Sequence, residues 1–155
     1  MTDVVTAEVR SRMMSGIRGR NTRPEILVRH GLHRGGFRYS LHPSGLAGKP
    51  DIVLRRWRAV VLVNGCFWHG HECHLFRWPG SRRKFWKAKI GRNRSRDEEV
   101  REQLAAAGWR ILIIWECALK GPGRRPLEEV LKEASRWIRR GNSFHEIKGR
   151  PHAGC

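Results

Sequence analysis

The apolar positions of this chain change period several times, and each change marks an element. Thr22-Arg23-Pro24-Glu25 has the form of a helix start. Thr22 serves as N-cap, Pro24 sits in the first turn where its missing N–H costs little, and Glu25 closes a capping box. The helix is expected to carry Ile26, Leu27 and Leu32 inward until Gly35-Gly36 stops it. Phe37-Arg38-Tyr39-Ser40-Leu41 then alternates as a half-buried strand does. A Gly/Pro-rich loop over 43–50 delivers Asp51-Ile52-Val53-Leu54, and the turn Arg55-Arg56-Trp57-Arg58 leads into the run 59–63, which predicts a hairpin. The second strand of that hairpin is apolar on both faces, which places it at the centre of a sheet with helices on each side.

Downstream, residues 84–107 have helical composition and spacing, a strongly basic polar face, and Gly91 as the expected interruption between two pieces. Gly108 ends that stretch, and Arg110-Ile111-Leu112-Ile113-Ile114-Trp115 predicts another buried strand. Pro126 opens a last helix with Leu127, Val130, Leu131, Ala134 and Ile138 on one stripe. From Gly141 the composition is that of a tail. The order helix, three strands, helix, strand, helix predicts an α/β layered domain, a central mixed sheet of about four strands flanked by helices.

Composition then narrows the function. The 155 residues suit one domain, and Lys plus Arg number 32 against 14 acidic residues, a net charge of +18. Such a chain repels itself unless a polyanion is its usual partner, and nucleic acid is the leading candidate. An anionic membrane ranks below it, because no run approaches the ~20 apolar residues of a span. Met1-Thr2-Asp3-Val4-Val5 lacks the basic start and apolar stretch of a secretory signal, so a cytoplasmic protein is expected. Cys66, Cys73 and Cys117 lie beside histidines or at a strand end, which suits a reduced compartment and metal ligation better than disulfides; Cys155 is read as dangling.

The chemistry concentrates in Gly65-Cys66-Phe67-Trp68-His69-Gly70-His71-Glu72-Cys73-His74. Thiolates and imidazoles are the ligands Zn²⁺ prefers, and a structural site takes four in a tetrahedron. This segment offers three, and Cys117, at the end of a strand-like run, is the natural fourth. If Cys66, Cys73 and Cys117 fill three corners, at least one of the three histidines is left over. A spare imidazole beside a metal carboxylate is a candidate general base, although spacing equally allows His69 as ligand with His71 or His74 on the surface.

Asp51 is open to two readings, a turn aspartate capping local N–H groups or the Mg²⁺ ligand of a nuclease. In the second, a backbone carbonyl such as that of Val63 reaches the same ion from the adjacent strand. Phe67 and Trp68 occupy a turn, and Phe85-Trp86 is set among Arg82, Arg83, Lys84, Lys87 and Lys89; both pairs read either as core or as rings that stack on bases. The Arg and Lys residues of 8–23 and 82–101 are most simply phosphate contacts, since a merely solvated face needs no bias of sign.

With these pieces in hand, the chain resembles the very-short-patch-repair (Vsr) mismatch endonucleases from about Thr6 to Arg140. The carrying motifs are Arg12-x-Met14-x-x-Ile17, Asn21-Thr22-x-Pro24-Glu25, Gly48-x-Pro50-Asp51-Ile52-Val53, Gly65-Cys66-Phe67-Trp68-His69 with Cys73, Phe85-Trp86 with Lys89-Ile90-Gly91-x-Asn93-x-x-Arg96-Asp97, and Gly108-Trp109-Arg110-x-Leu112-x-x-Trp115-Glu116-Cys117. The resemblance implies a restriction-endonuclease-like three-layer fold and Mg²⁺-dependent cleavage of one DNA strand 5′ of the thymine in a T·G mismatch, the product of 5-methylcytosine deamination.

It also implies roles. Asp51 binds Mg²⁺ with the carbonyl of Val63, His69 acts as general base, and Glu25 organises metal-bound water. Structural zinc maps onto Cys66, His71, Cys73 and Cys117. Phe67, Trp68 and Trp86 match an aromatic wedge, with Met14 as a second intercalator, and Arg12, Arg18, Arg20, Lys89, Arg92 and Asn93 are expected to contact DNA. Asn64 departs from the histidine or aspartate carried by relatives, which leaves base duty to His69. The expected organisation is an N-terminal DNA-contacting arm (1–20), a catalytic domain (21–140) and a tail (141–155). A monomer acting at the nucleoid is expected, with mismatch-repair and repair-synthesis proteins as candidate partners. The rival readings are a restriction-like nuclease for another substrate, a non-catalytic zinc-stabilised DNA-binding protein and a zinc hydrolase.

Overall fold

The computed structural model describes residues 21–151. Helix α1 (Arg23–Arg34) starts as its sequence dictates, with the Glu25 amide donating to the Thr22 hydroxyl at 3.4 Å and the Asn21 amide donating to the Glu25 carboxylate at 3.0 Å. Its buried face is Glu25, Val28 and Leu32, whereas Leu27 is 37% exposed and Ile26 only half-buried. The stripe is rotated from the expected one because an acidic side chain takes an inward position, which an apolar count cannot register.

Strand β1 is only Ser40–Leu41, shorter than the alternation from Phe37 predicts, and Phe37 is buried ahead of it. Strands β2 (Ile52–Leu54) and β3 (Ala59–Asn64) form the expected antiparallel hairpin, with Ile52 opposite Val61 and Leu54 opposite Ala59. A long crossover through α2 (Arg83–Ala106) returns the chain to β4 (Arg110–Trp115), which pairs parallel with β3. Helix α2 runs through Gly91 without interruption. A mid-helix glycine costs only about 1 kcal/mol, too little to break a helix of this length that packs on a sheet.

Helix α3 (Leu127–Arg140) follows Pro126 and buries Val130, Ala134, Trp137 and Ile138, with Leu131 half-buried beside them. The segment read as tail-like then contributes β5 (Phe144–Ile147), parallel to β4, so the sheet has five strands in the order β1-β2-β3-β4-β5. Only Ile147 of this strand is fully buried, and its polar members are paired, His145 to Glu133 at 2.8 Å and Glu146 to the Trp115 indole at 2.9 Å. That polarity disguises the strand as a tail.

The central β3 has a core on each face. One contains Ile52, Leu54, Val61, Leu112 and Ile114 packed with residues of α1 and α3; the other contains Val53, Val60 and Ile111 packed with Leu104 of α2. Strand period 2 therefore sorts neighbouring residues to opposite layers and yields an α/β/α sandwich. Among the described residues no helix is long and apolar enough to cross a membrane.

Candidate active site and metal centre

The antiparallel register of β2 and β3 sets Asp51, one residue before β2, beside the end of β3. There the Val63 amide donates to Asp51 Oδ2 at 2.7 Å. The β1–β2 pairing brings His42, one residue past β1, to the same place, and α1 supplies Glu25 from beneath. His42 Nε2 lies 3.0 Å from Glu25 Oε2 and 3.7 Å from Asp51 Oδ1. Ligand atoms of Glu25, His42 and Asp51 all fall within 4.8 Å of one another, close enough to share one cation. Glu25 is only 1% exposed, and Arg29 donates to the same Oε2 at 2.9 Å. Burial pushes the Asp51 carboxyl up to about 7, the Val63 N–H opposes this, and the neighbouring Glu25 adds to it. A buried carboxylate of this kind gains most from a divalent cation.

Asp51 opens onto a cleft of about 530 Å³ lined also by Asn64, Trp68, His69, Asn93, Arg96 and Asp97. His69 Nδ1 and Asp97 Oδ2 are 2.6 Å apart, so the carboxylate fixes the ring and leaves Nε2 available to accept a proton. Helix α2 positions Asp97 by simple spacing: Ile90, Asn93, Asp97, Val100 and Leu104 recur at three and four residues and form its inward face. On that face the Asn93 amide donates to the Trp68 carbonyl at 2.8 Å, so it braces the aromatic turn. Lys89 is half-buried and Arg92 exposed on the same helix. Met14, Arg12, Arg18 and Arg20 lie outside the described residues.

The Cys/His cluster follows from the parallel pairing of β3 and β4. Asn64 stands opposite Trp115, so the chain leaves both strands at one edge and Cys66 meets Cys117. The Cys117 amide donates to Cys66 Sγ at 3.3 Å, the Gly149 amide to Cys117 Sγ at 3.3 Å, and the Leu75 amide to Cys73 Sγ at 3.3 Å. Donor atoms of Cys66, His71, Cys73 and Cys117 lie within 4.8 Å of one another, and His71 Nδ1 is 3.7 Å from Cys117 Sγ. Zn–S and Zn–N bonds of their usual length make the edges of a tetrahedron roughly 3.5–3.8 Å, so this donor set fits a structural metal.

The Cys117 thiol is pulled down to about 4, chiefly by a hydrogen bond from Cys66 and also by His71 and the Gly149 amide, while the shared proton pushes Cys66 up. His71 stacks flat on Trp115 at 4.0 Å, which fixes its ring. His74 accepts the Gly123 amide at 3.2 Å and His69 pairs with Asp97, so of the three histidines His71 is the one grouped with the thiols and could share a metal with them. Gly70 holds the turn with φ +62°, and a Cβ there would meet Ile90 at 2.6 Å.

Phe67, Trp68 and Trp86 form one aromatic group, with centroids 5.1 to 5.9 Å apart, all half-buried, and Trp68 among them lines the cleft. Neither core nor free surface describes them. His42 and Asp97 are the two side chains of the site that residue-by-residue reasoning missed; the first is visible only through strand pairing, the second through the helical period just described.

The carboxylate cleft at the strand ends of a mixed sheet, beside a basic helix and a Cys₃His cluster, suits a DNA endonuclease on a restriction-endonuclease-like scaffold, and the comparisons with known proteins place the chain in that class. The model of the family "DNA mismatch endonuclease Vsr" matches residues 2–75. The chain is 46% identical to the type II nicking enzyme V.XorIIP of Xanthomonas oryzae pv. oryzae over 79% of its length and 90% of that protein's. It is 40% identical to the type II nicking enzyme V.NmeAIP of Neisseria meningitidis over 86% and 96%. It is 38% identical to the DNA mismatch endonuclease Vsr of Escherichia coli over 89% and 88%. The chain belongs to the Vsr family of DNA mismatch endonucleases.

Proposed function

We propose that this enzyme nicks one strand 5′ of the thymine in a T·G mismatch, the product of 5-methylcytosine deamination, and so initiates very short patch repair. The observation that carries this reading is that Asp51 and His42 of the carboxylate cluster, the His69–Asp97 pair and Trp68 of the aromatic group line one cleft. Asp51 and the Val63 carbonyl would hold Mg²⁺, whose charge would stabilise the leaving oxygen of the phosphate. His69 takes the proton of the attacking water at Nε2, and Asp97 stabilises the imidazolium that results. Glu25, held by Arg29, Asn21 and His42, orders water on the inner side of the cleft. Asn64 lines the cleft and can hydrogen-bond but takes up no proton near neutral pH.

Phe67, Trp68 and Trp86 wedge into the stack beside the lesion, with Met14 entering from the N-terminal arm, while Arg12, Arg18, Arg20, Lys89 and Arg92 contact phosphates. Unstacking costs a few kcal/mol and least at a mismatch, which favours the damaged site. Zn²⁺ held by Cys66, His71, Cys73 and Cys117 would pin the turn that carries both His69 and the wedge. One asymmetric lesion and a single-strand cut need no two-fold symmetry, so the enzyme acts as a monomer.

The test is strand-resolved cleavage of an end-labelled duplex with one T·G mismatch in varied flanking sequence, with Mg²⁺ or with EDTA. A Mg²⁺-dependent nick confined to the T strand is expected. Equal cutting of a matched T·A duplex would replace this reading with that of a general nuclease.

A further inference from the structure

A large open groove of about 1290 Å³ borders the Cys/His cluster, with His71, Cys73 and Cys117 among its lining, and shares no lining residue with the catalytic cleft. Its wall carries Arg77, Arg94, Lys148 and Arg150 against a single carboxylate, Glu72. Two of the cations are engaged: Arg94 bonds the Gly70 carbonyl and Arg150 the Glu129 carboxylate at 3.2 Å. Arg77 and Lys148 are exposed, and among the described residues neither has a carboxylate within ion-pairing distance. The groove is also aromatic. Phe76 and Trp78 line it with centroids 5.0 Å apart, and Trp78 is 37% exposed, unusual for so large a ring.

These rings continue the aromatic group of the cleft. Phe76 stacks on Phe67 at 5.9 Å with the planes 30° apart, so a row of rings runs from Trp68 through Phe67 and Phe76 to Trp78. The row therefore joins the place where a strand is cut to a basic concavity that the reaction itself does not use.

We propose that this groove is a second nucleic-acid site, specific for single-stranded DNA, which holds the strand freed at the nick by stacking on Trp78 and phosphate contacts from Arg77 and Lys148. An intact duplex hides the faces of its bases inside the stack and presents only edges and backbone. Exposed rings interleaved with cations match instead the way proteins bind unpaired strands without reading sequence. The inference rests on the nicking activity of the family and not on the T·G preference.

The experiment uses the full-length zinc-loaded chain and a fluorescein-labelled oligo-dT of 12 nucleotides, read by anisotropy at fixed salt. Trp78→Ala should weaken oligo-dT binding about ten-fold, the scale of one lost base–ring stack. The exposed pair Arg77→Ala/Lys148→Ala should weaken it too and flatten its salt dependence. Both variants should nick a mismatched duplex in single-turnover assays at the parental rate, which also reports that they are folded. Unchanged oligo-dT affinity in the double variant overturns the proposal, as does a blunt matched duplex competing as well as unlabelled oligo-dT. Failure of the parent to prefer T·G would overturn the mismatch reading alone and leave the oligo-dT comparison intact.

Discussion

Asp51 shows how much one residue's surroundings decide. Its carboxyl ionises near the ordinary 3.8 in an unfolded chain and at about 7 in the folded one, so between those values the folded state binds the extra proton. Stability of the metal-free protein must then fall as pH rises from about 4 through 7, reaching a penalty of roughly 3–5 kcal/mol above that window. Asp51→Asn should raise the melting temperature of the metal-free enzyme at pH 8, leave it unchanged at pH 4, and abolish nicking while mismatch binding persists in a gel-shift assay. Parallel melting curves at both pH values would refute the burial argument. A second substitution isolates the orienting carboxylate: Asp97→Asn should lower single-turnover nicking by about 10–100-fold, less than His69→Ala, because it removes the brace and not the base. Asp51 and the Cys/His segment stood out as candidates because Pro50 and the strand that follows present the carboxylate and because thiols and imidazoles crowd one turn, but spacing left Asp51 a turn reading and did not choose among His69, His71 and His74. His42 did not stand out, since only the pairing of Leu41 with Ile52 brings its ring to the carboxylates.

At the scale of elements, most segments were visible in the apolar pattern, β5 was missed because its polar members disguise it, and the ends of some others were misjudged. The hairpin, β4 and α3 were plain because their apolar runs are bounded by turn residues. Gly91 was misleading, since a local propensity cost was weighed without the packing that α2 gains from Ile90 and Leu104. The observed geometry makes this testable. Gly91 is exposed and nothing lies within 4 Å of a Cβ built on it. Gly91→Ala should therefore stabilise the protein by about 0.5–1 kcal/mol, read as a raised denaturant midpoint with unchanged m-value. The Cys/His loop is proposed to make the opposite case, with a bound metal adding order that burial alone does not supply. Removing the metal with a strong chelator, followed by return to excess Mg²⁺, should leave the enzyme inactive with near-UV signal lost from the Trp115–His71 stack, and Zn²⁺ should restore both.

For the whole molecule, the α/β/α arrangement gathers the termini of β2, β3 and β4 at one end of the sheet, and this end carries both clusters that could hold a metal. Charge is the other global property: a net +18 spread over 155 residues has a solubility reading and a phosphate-contact reading, and they differ in one measurable quantity. If the basic residues only keep the chain soluble, mismatched-duplex affinity depends weakly on salt. If they contact phosphates, each contact releases counterions, and six to ten contacts would cut affinity by about 10³–10⁵-fold between 50 and 200 mM salt. A linear plot of log affinity against log salt is expected, and Arg92→Ala should reduce its slope by about 1 while lowering matched and mismatched binding equally. A slope near zero would assign the charge to solubility. A substitution that weakened only mismatched binding would instead place Arg92 at the lesion, because a phosphate is the same phosphate beside any base pair.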